Sequence, residues 1–514
     1  MSRTSRSKGF VLVAVAGAAA LVLSACGSSD NSSSSTTAAT TSAATTSAAA
    51  ASGEATSAAA STAGSGESSA AGSETGSSET GSSGTGSSSE TSGAASTLVG
   101  SDDNYCDVIK KNWPDISGKT VTAYTGISGV EADGLKTSFK AFEDCSGAKI
   151  ELNSDKNFET QIVVQAKSGS APDIGFVPQP GLLQTLVSTG TVKEAPALVA
   201  QNTEKYWDPG WKAYGTVDGK FYAAPLGANV KSLVWYSPKT FKENGWAVPT
   251  TWDDLLKLSD TIAATGKKPW CAGAESGAAT GWPLTDWLEE VVMRQAGPDV
   301  YDKWIKGDVK FTDAPIKDAL AQVGRILKNE KYVNGGFGDV ASIASTDFSI
   351  AGGPILTGDC ALMQMASFYA SNWATGSKIA EDGDVYAFYE PTISTQFGKP
   401  VEVGGEFVTA FADRPEVQAF QYYLSTAFWA NEQSKAGSRI SANKGLDINN
   451  VKDPINKLSV SILQDPKAVS RFDASDLMPA AVGSGAEWSQ LVAWITGQDD
   501  DTTLQAIQAA WPTN

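Results

Sequence analysis

The 514-residue chain contains no histidine. That absence removes Ser-His-Asp and Cys-His nucleophile machinery, and with it every metal site built on imidazole. Cysteine is scarce, five residues in all, and no two of them stand at the CxxC-like spacing of a zinc site. Basic residues are the minority, 39 Lys and Arg against 57 Asp and Glu, for a formal net charge of −18. An acidic surface of that size repels nucleic acid and anionic lipid and mainly favours solubility. No run of Lys or Arg supplies a local exception, so nucleic acid is not expected as a partner and polyanionic substrates are disfavoured. A neutral ligand is compatible with this charge. Long apolar runs are missing too, except one from Gly9 to Leu23, which is shorter than the ~20 residues that span a bilayer as a helix.

That run follows Arg3, Arg6 and Lys8 and ends in Leu23-Ser24-Ala25-Cys26. A charged n-region, a short apolar h-region and small residues at a cleavage point make a secretory signal. A Cys directly after Leu-Ser-Ala resembles the bacterial lipoprotein signal, in which the Cys is lipidated and becomes the mature N-terminus. The resemblance implies a signal peptide over 1–25, lipidation at Cys26, and a protein anchored to the extracytoplasmic face of the cell membrane without spanning it. Residues 28–97 are almost wholly Ser, Thr, Ala and Gly, with Asp30, Glu54, Glu67, Glu74, Glu79 and Glu90 as the only charges and no aromatic residue. So little apolar surface cannot offset the entropy of ordering, and 26–97 reads as a disordered tether with an end-to-end distance of roughly 40–50 Å. A glycosylated stalk uses the same composition and stays open as an alternative.

The body, 98–514, is long enough for two lobes with cores of their own. With Cys26 assigned to the lipid, Cys106, Cys145, Cys271 and Cys360 form an even set in an exported protein, which reads as two disulfides with three possible connectivities. Cys106–Cys145 and Cys271–Cys360 close shorter loops than the crossed pairings and are the expected pairs. From Lys119 onward strand and helix patterns alternate. Thr120–Tyr124, Lys149–Leu152 and Pro172–Val177 read as strands; Val130–Phe142, Phe158–Ala166 and Leu182–Ser188 read as helices. Such alternation implies an α/β fold with βαβ units and a mainly parallel sheet covered on both faces. Ligands of such sheets bind beyond the carboxyl ends of the strands, here Ile127–Glu131, Asp155–Asn157 and Pro178–Pro180.

Further along stand Asp218-Gly219-Lys220-Phe221-Tyr222-Ala223-Ala224-Pro225, then Ser232-Leu233-Val234-Trp235-Tyr236, then Phe241, Gly245 and Pro249-Thr250-Thr251-Trp252-Asp253-Asp254-Leu255. Gly358-Asp359-Cys360-Ala361-Leu362-Met363-Gln364 precedes Phe368, and Gly404-Gly405-Glu406-Phe407-Val408 precedes a helical pattern from Pro415 to Trp429. In this order the set resembles the extracellular solute-binding proteins of sugar-type ATP-binding-cassette importers. Trp270-Cys271 with Glu275 to Trp287 is most similar to the α-glucoside and maltose-type members. The resemblance covers residues 118–514. It implies a periplasmic-binding-protein-like fold of two α/β lobes joined by hinge crossovers, with the ligand in the cleft. The first lobe is expected over 98–228 and 404–455, the second over 229–403 and 456–514.

A sugar presents an apolar C–H face and a rim of hydroxyls, so its site needs aromatic platforms surrounded by carboxylates, amides and backbone groups. The resemblance places platforms at Phe368 and Trp488. Trp282 and Asp286, at the start of a helical pattern, are aimed at the cleft, with Trp287 packing inward. Ser128 and Glu131 follow the first strand, Gln179 the third; the Val177-Pro178 pair stands where the maltose-type members place an aromatic platform, a departure from that pattern. Asn229 lies at the first crossover. Gly405 and Glu406 lie at a later one, where the glycine pair allows either close backbone approach to a ligand or a turn.

The expected function is a lipid-anchored binding subunit that captures a neutral di- or oligosaccharide, such as an α-glucoside, and delivers it to the transmembrane subunits of a permease. It needs no catalytic residue, metal or cofactor, and a monomer suffices. The competing readings are a secreted glycosidase, which needs two carboxyls at a defined separation, and a binding subunit for a non-sugar solute.

Overall fold

The structure, a computed structural model, describes residues 104–437 and 439–512. The signal peptide, Cys26 and the tether expected over 26–97 lie outside the described residues. From Thr120 the chain lays down β1 (Thr120–Thr125), β2 (Lys149–Ser154) and β3 (Ile174–Val177), with helices Gly129–Ser146 and Phe158–Ser168 between them and Pro180–Ser188 after β3. A small hairpin, β4 (Thr216–Val217) and β5 (Lys220–Phe221), precedes β6 (Ala223–Pro225), β7 (Asn229–Val230) and β8 (Leu233–Tyr236). Then follow β9 (Lys268–Cys271), β10 (Val333–Asn334), β11 (Cys360–Gln364), β12 (Tyr386–Tyr389), β13 (Lys399–Gly404), β14 (Phe407–Ala410) and β15 (Ala468–Phe472).

These strands build two five-stranded sheets, ordered β2-β1-β3-β14-β6 and β10-β9-β11-β8-β12, and a three-stranded sheet, β15-β13-β7. In the first large sheet β14 alone runs against its neighbours, and in the second β8 alone does. The parallel majority follows from helical βαβ returns within each lobe. The reversed strands have a different origin. The chain reaches β8 directly from β7, and β14 directly from β13, so both arrive from the three-stranded sheet and no crossover helix dictates their direction. The three-stranded sheet is thus the bridge between two α/β halves.

Alternation along each strand sends its side chains into three cores, one of them shared by both large sheets. Val121 and Ala123 of β1 pack with Phe139, Phe142 and Phe420, while Tyr124 faces Phe158 and Ile162. In the second sheet Val234 and Leu362 join the aromatic-rich core of Trp252, Trp270, Trp287 and Trp304, whereas Trp235 and Met363 face the other way. Both faces are therefore covered, as a largely parallel sheet requires. One expectation needs correcting: the helical pattern from Pro415 to Trp429 is two helices, Pro415–Leu424 and Ala427–Ala436. The cause is Thr426, whose hydroxyl accepts the Trp429 N–H at 3.1 Å and caps a new helix, the competition that Thr offers to backbone bonding.

The cysteines pair as Cys106–Cys145, which ties helix Tyr105–Asn112 to helix Gly129–Ser146, and Cys271–Cys360, which joins β9 to β11; the Cα separations are 5.8 and 5.6 Å. Neither pair touches the cleft described below. Replacing Cys106 and Cys145 by Ser is expected to remove up to roughly 4 kcal/mol of stability, on the chain-entropy estimate for a loop of this length. A lowered urea midpoint checks this; an unchanged midpoint contradicts it.

Candidate ligand-binding cleft

A cavity of about 200 Å³ opens where the two halves meet, beyond the carboxyl ends of β1 and β3 and against β7 and the β13–β14 link. Nine of the ten residues singled out from the sequence line it. Ser128 and Glu131 come from the start of helix Gly129–Ser146, Gln179 from the cap of helix Pro180–Ser188 just after β3, Asn229 from β7, and Gly405 and Glu406 from between β13 and β14. The second half contributes Trp282, the first residue of helix Trp282–Gln295, then Phe368 after β11, and Trp488 at the start of helix Trp488–Ile495.

Two glycine positions explain how these side chains come together. Gly281 has φ +115°, and a Cβ there would lie 2.4 Å from the Trp488 carbonyl oxygen. Only glycine permits that approach, which sets Trp282 and Trp488 side by side in the wall. At Gly405 a Cβ would lie 2.3 Å from the Gly227 carbonyl oxygen. The glycine there clears backbone against backbone.

On one side of the cavity Trp282, Phe348 and Phe368 form an aromatic wall: the ring centroids are 5.1 Å apart for Trp282–Phe348, 5.9 Å for Trp282–Phe368 and 6.2 Å for Phe348–Phe368. Around the wall lie polar atoms with no partner among the described residues, namely Gln179 Oε1, Asn229 Oδ1 and Trp488 Nε1. All three residues are buried. An unsatisfied buried polar atom costs about 1–3 kcal/mol; the two amide oxygens accept and the indole N–H donates, so the cavity suits a guest that offers both hydroxyls and an apolar face. Trp287, by contrast, packs inward on Trp270 at 5.1 Å.

The tenth residue, Asp286, does not line the cavity. It is buried beneath the floor, where its carboxylate accepts from the Lys231 ammonium at 2.7 Å. Lys231 also pairs with Asp473 and lies 3.8 Å from Glu402. Carboxylate oxygens of Asp286, Glu402 and Asp473 lie within 4.8 Å of one another, close enough for a metal ion, but the Lys231 ammonium is already the cation among them. Burial pushes Asp286 up to about 7, against the pull of Lys231. Burial also raises Glu289, Glu402, Asp476 and Glu487, with neighbouring carboxylates adding to the effect. Glu289 earns its place by bonding: it accepts from Tyr301 Oη at 2.9 Å and from the Ser475 N–H at 3.1 Å.

Arg439 is the second cation that sequence reading missed. Its guanidinium grips Glu406 with two N–H groups and donates a third to Glu131. The two carboxylates expected to meet the ligand are therefore held in place by an internal partner. A third cation, Lys156, follows β2 and forms an ion pair with Asp347 of the second half, beside the lining residues Phe348 and Ser349. Each cation at the cavity is thus matched by protein carboxylates. Glu159 and Asp476 line it with no cationic hydrogen-bond partner among the described residues, and burial raises both. Little in the sequence marks these roles, although a lone Lys inside the apolar run Val230–Tyr236 is a signal that it needs buried counter-charges.

Buried carboxyls with raised pKa values stay protonated in the fold at pH values where the unfolded chain has released its protons. Their contribution is complete below about pH 4 and is lost as pH rises through the folded values, about 7 for Asp286 and about 8 for Glu390. The melting temperature is therefore expected to fall between pH 5 and pH 8. A thermal-denaturation series checks it, and a melting temperature that climbs over that window contradicts it.

Comparison with known proteins agrees with this architecture. The family model for bacterial extracellular solute-binding proteins matches residues 128–435. The osmoprotective compounds-binding protein GgtB of Synechocystis sp. is 34% identical over 404 residues, covering 78% of this chain and 95% of that protein. The alpha-glucosides-binding periplasmic protein AglE of Rhizobium meliloti is 34% identical over 412 residues, covering 78% and 89%. Among solved structures, the bacterial solute receptor AcbH, which has an exclusive preference for β-D-galactopyranose, shares the fold with a TM-score of 0.66 at 15% identity, over 76% of this chain and 98% of that one. The chain belongs to the bacterial extracellular solute-binding protein family.

Proposed function

We propose that the protein is the extracytoplasmic sugar receptor of an ATP-binding-cassette importer, anchored through a lipid at Cys26, and that it takes a compact neutral glycoside, an α-linked disaccharide or a glucoside of similar size. The observation that carries the reading is the aromatic wall of Trp282, Phe348 and Phe368 in the same cavity as the unpartnered polar atoms of Gln179, Asn229 and Trp488. Ring faces suit the C–H side of a pyranose, and the orphaned amide oxygens suit its hydroxyls. The names of the relatives GgtB and AglE point to the same ligand class. The charge inventory favours a neutral guest: each cavity cation is matched within the protein, leaving none to receive an anion.

The mechanism requires binding and closure only. A ligand touching both halves stabilises the arrangement in which they meet, by its differential affinity for that state, and the permease reads the result. A glycosidase would need one protonated and one ionised carboxyl flanking the bond; Glu131 and Glu406, which share a single guanidinium on one side of the cavity, do not supply that pair. The Lys156–Asp347 pair spans the mouth and supports the closed arrangement.

In a thermal-shift screen of the untethered body, neutral disaccharides are expected to raise the melting temperature, because they bind the folded state alone. Uronates and sugar phosphates of equal size are expected to leave it unchanged. A shift with the anionic sugars alone overturns the reading. Separately, Lys156→Ala is expected to speed ligand release by a few-fold, about the value of one exposed ion pair, and the difference from the parent protein should vanish at high salt. An unaltered release rate at low salt argues against a role at the mouth.

A further inference from the structure

Lys231 occupies an unusual position. It lies between β7 and β8, where the chain leaves the three-stranded sheet for the second half, and its backbone N–H donates to the Glu402 carbonyl of β13 at 2.9 Å. Its ammonium then gathers carboxylates from three separate segments: Asp286 of helix Trp282–Gln295, Glu402 of β13, and Asp473 just after β15. It also stands 5.4 Å from the centre of the Trp282 ring, within range of a cation–π contact. Asp473 and Trp282 both line the cavity. Lys231 lines the cavity as well, with its ammonium turned into these carboxylates.

We propose that Lys231 is a positioning residue for the ligand: its charge holds the Trp282 ring and the Asp473 carboxylate in their places at the cleft floor and fastens the crossing strand to the second half. This rests on the cleft being the sugar site. The physical reason lies in what surrounds the ammonium. Asp286, Glu289 and Glu290 face it from helix Trp282–Gln295, Glu402 from β13, Asp473 and Asp476 from the segment after β15, and Glu487 flanks the same acidic cluster from the π-helical segment Ala481–Glu487. Without a cation, these carboxylates either repel one another or take up protons, and in both cases Asp473 and the Trp282 ring lose the group that orients them. A methylene stem of similar length in place of lysine would fill the space without restoring that order.

The test compares the parent protein with Lys231→Arg, Lys231→Met and the charge-matched Lys231→Met/Asp286→Asn. Affinity is measured by calorimetry with whichever neutral disaccharide gives the largest thermal shift, at pH values from 5 to 8, and the melting temperature of each variant is recorded. Lys231→Arg keeps the charge and is expected to lose no more than about threefold in affinity. The double variant removes one charge of each sign, so it is expected to melt close to the parent, yet to bind at least about tenfold more weakly. Lys231→Met is expected to bind weakly at pH 8 and to recover affinity towards pH 5, as protons replace the missing cation; the parent lacks that recovery. If the double variant folds and binds as the parent does, or if Lys231→Arg is as poor as Lys231→Met, the proposal is overturned. A parent protein that binds sugar while every variant shows a flat pH profile also overturns it. A parent that binds no sugar at any pH instead overturns the cleft reading, and the proposal falls with it.

Discussion

One buried ammonium, that of Lys231, holds together the parts of this protein that must stay in register. Three segments meet there because three carboxylates need the same cation. Taking so many charges out of water is expensive unless they are paired and bonded. The chain meets that demand with the Lys231 node, with the Arg294–Glu290 pair behind it, and with hydrogen bonds from Tyr301 and Ser475 to Glu289. The remaining carboxyls keep protons that burial raises into the neutral range or above. The arrangement stands at the place where the chain passes from the three-stranded sheet into the second lobe, so local electrostatics and lobe geometry are coupled.

Above this floor the cleft divides its chemistry between the two halves. The second half supplies rings, Trp282, Phe348 and Phe368, with Trp488 beside them; the first supplies amides and the Glu131–Arg439–Glu406 clamp. A guest with an apolar face and a hydroxyl rim satisfies both at once, and only when the halves are close. The division also explains why Gly281 and Gly405 stand where they do. Each removes a side chain at a crossing of two backbones and lets the functional side chains next to it reach the same cavity.

The sequence carried the local part of this design. The β1–β3 strands with their helices were legible because alternation and helical spacing are short-range patterns, and Trp282, Phe368 and Trp488 were legible through ordered motifs shared with sugar receptors. What was hidden depends on distant partners. Lys231 meets Asp473 across 242 residues, and Arg439 meets Glu131 across 308. No spacing rule links such positions, so Asp286 read as a ligand contact when its partner is an internal lysine. The hold of Arg439 on Glu131 and Glu406 was hidden for the same reason. The break at Thr426 was missed because an apolar helical pattern continues through it, while one hydroxyl decides where the second helix begins.

The central claim is that the two halves enclose an uncharged sugar and release it unaltered. Calorimetric titration of the untethered body with an α-linked disaccharide, followed by mass analysis of the ligand recovered from the saturated protein, tests it most directly. The account expects saturable one-to-one binding and recovery of the intact disaccharide. Recovery of monosaccharides, or the absence of binding heat across neutral sugars of this size, would contradict it.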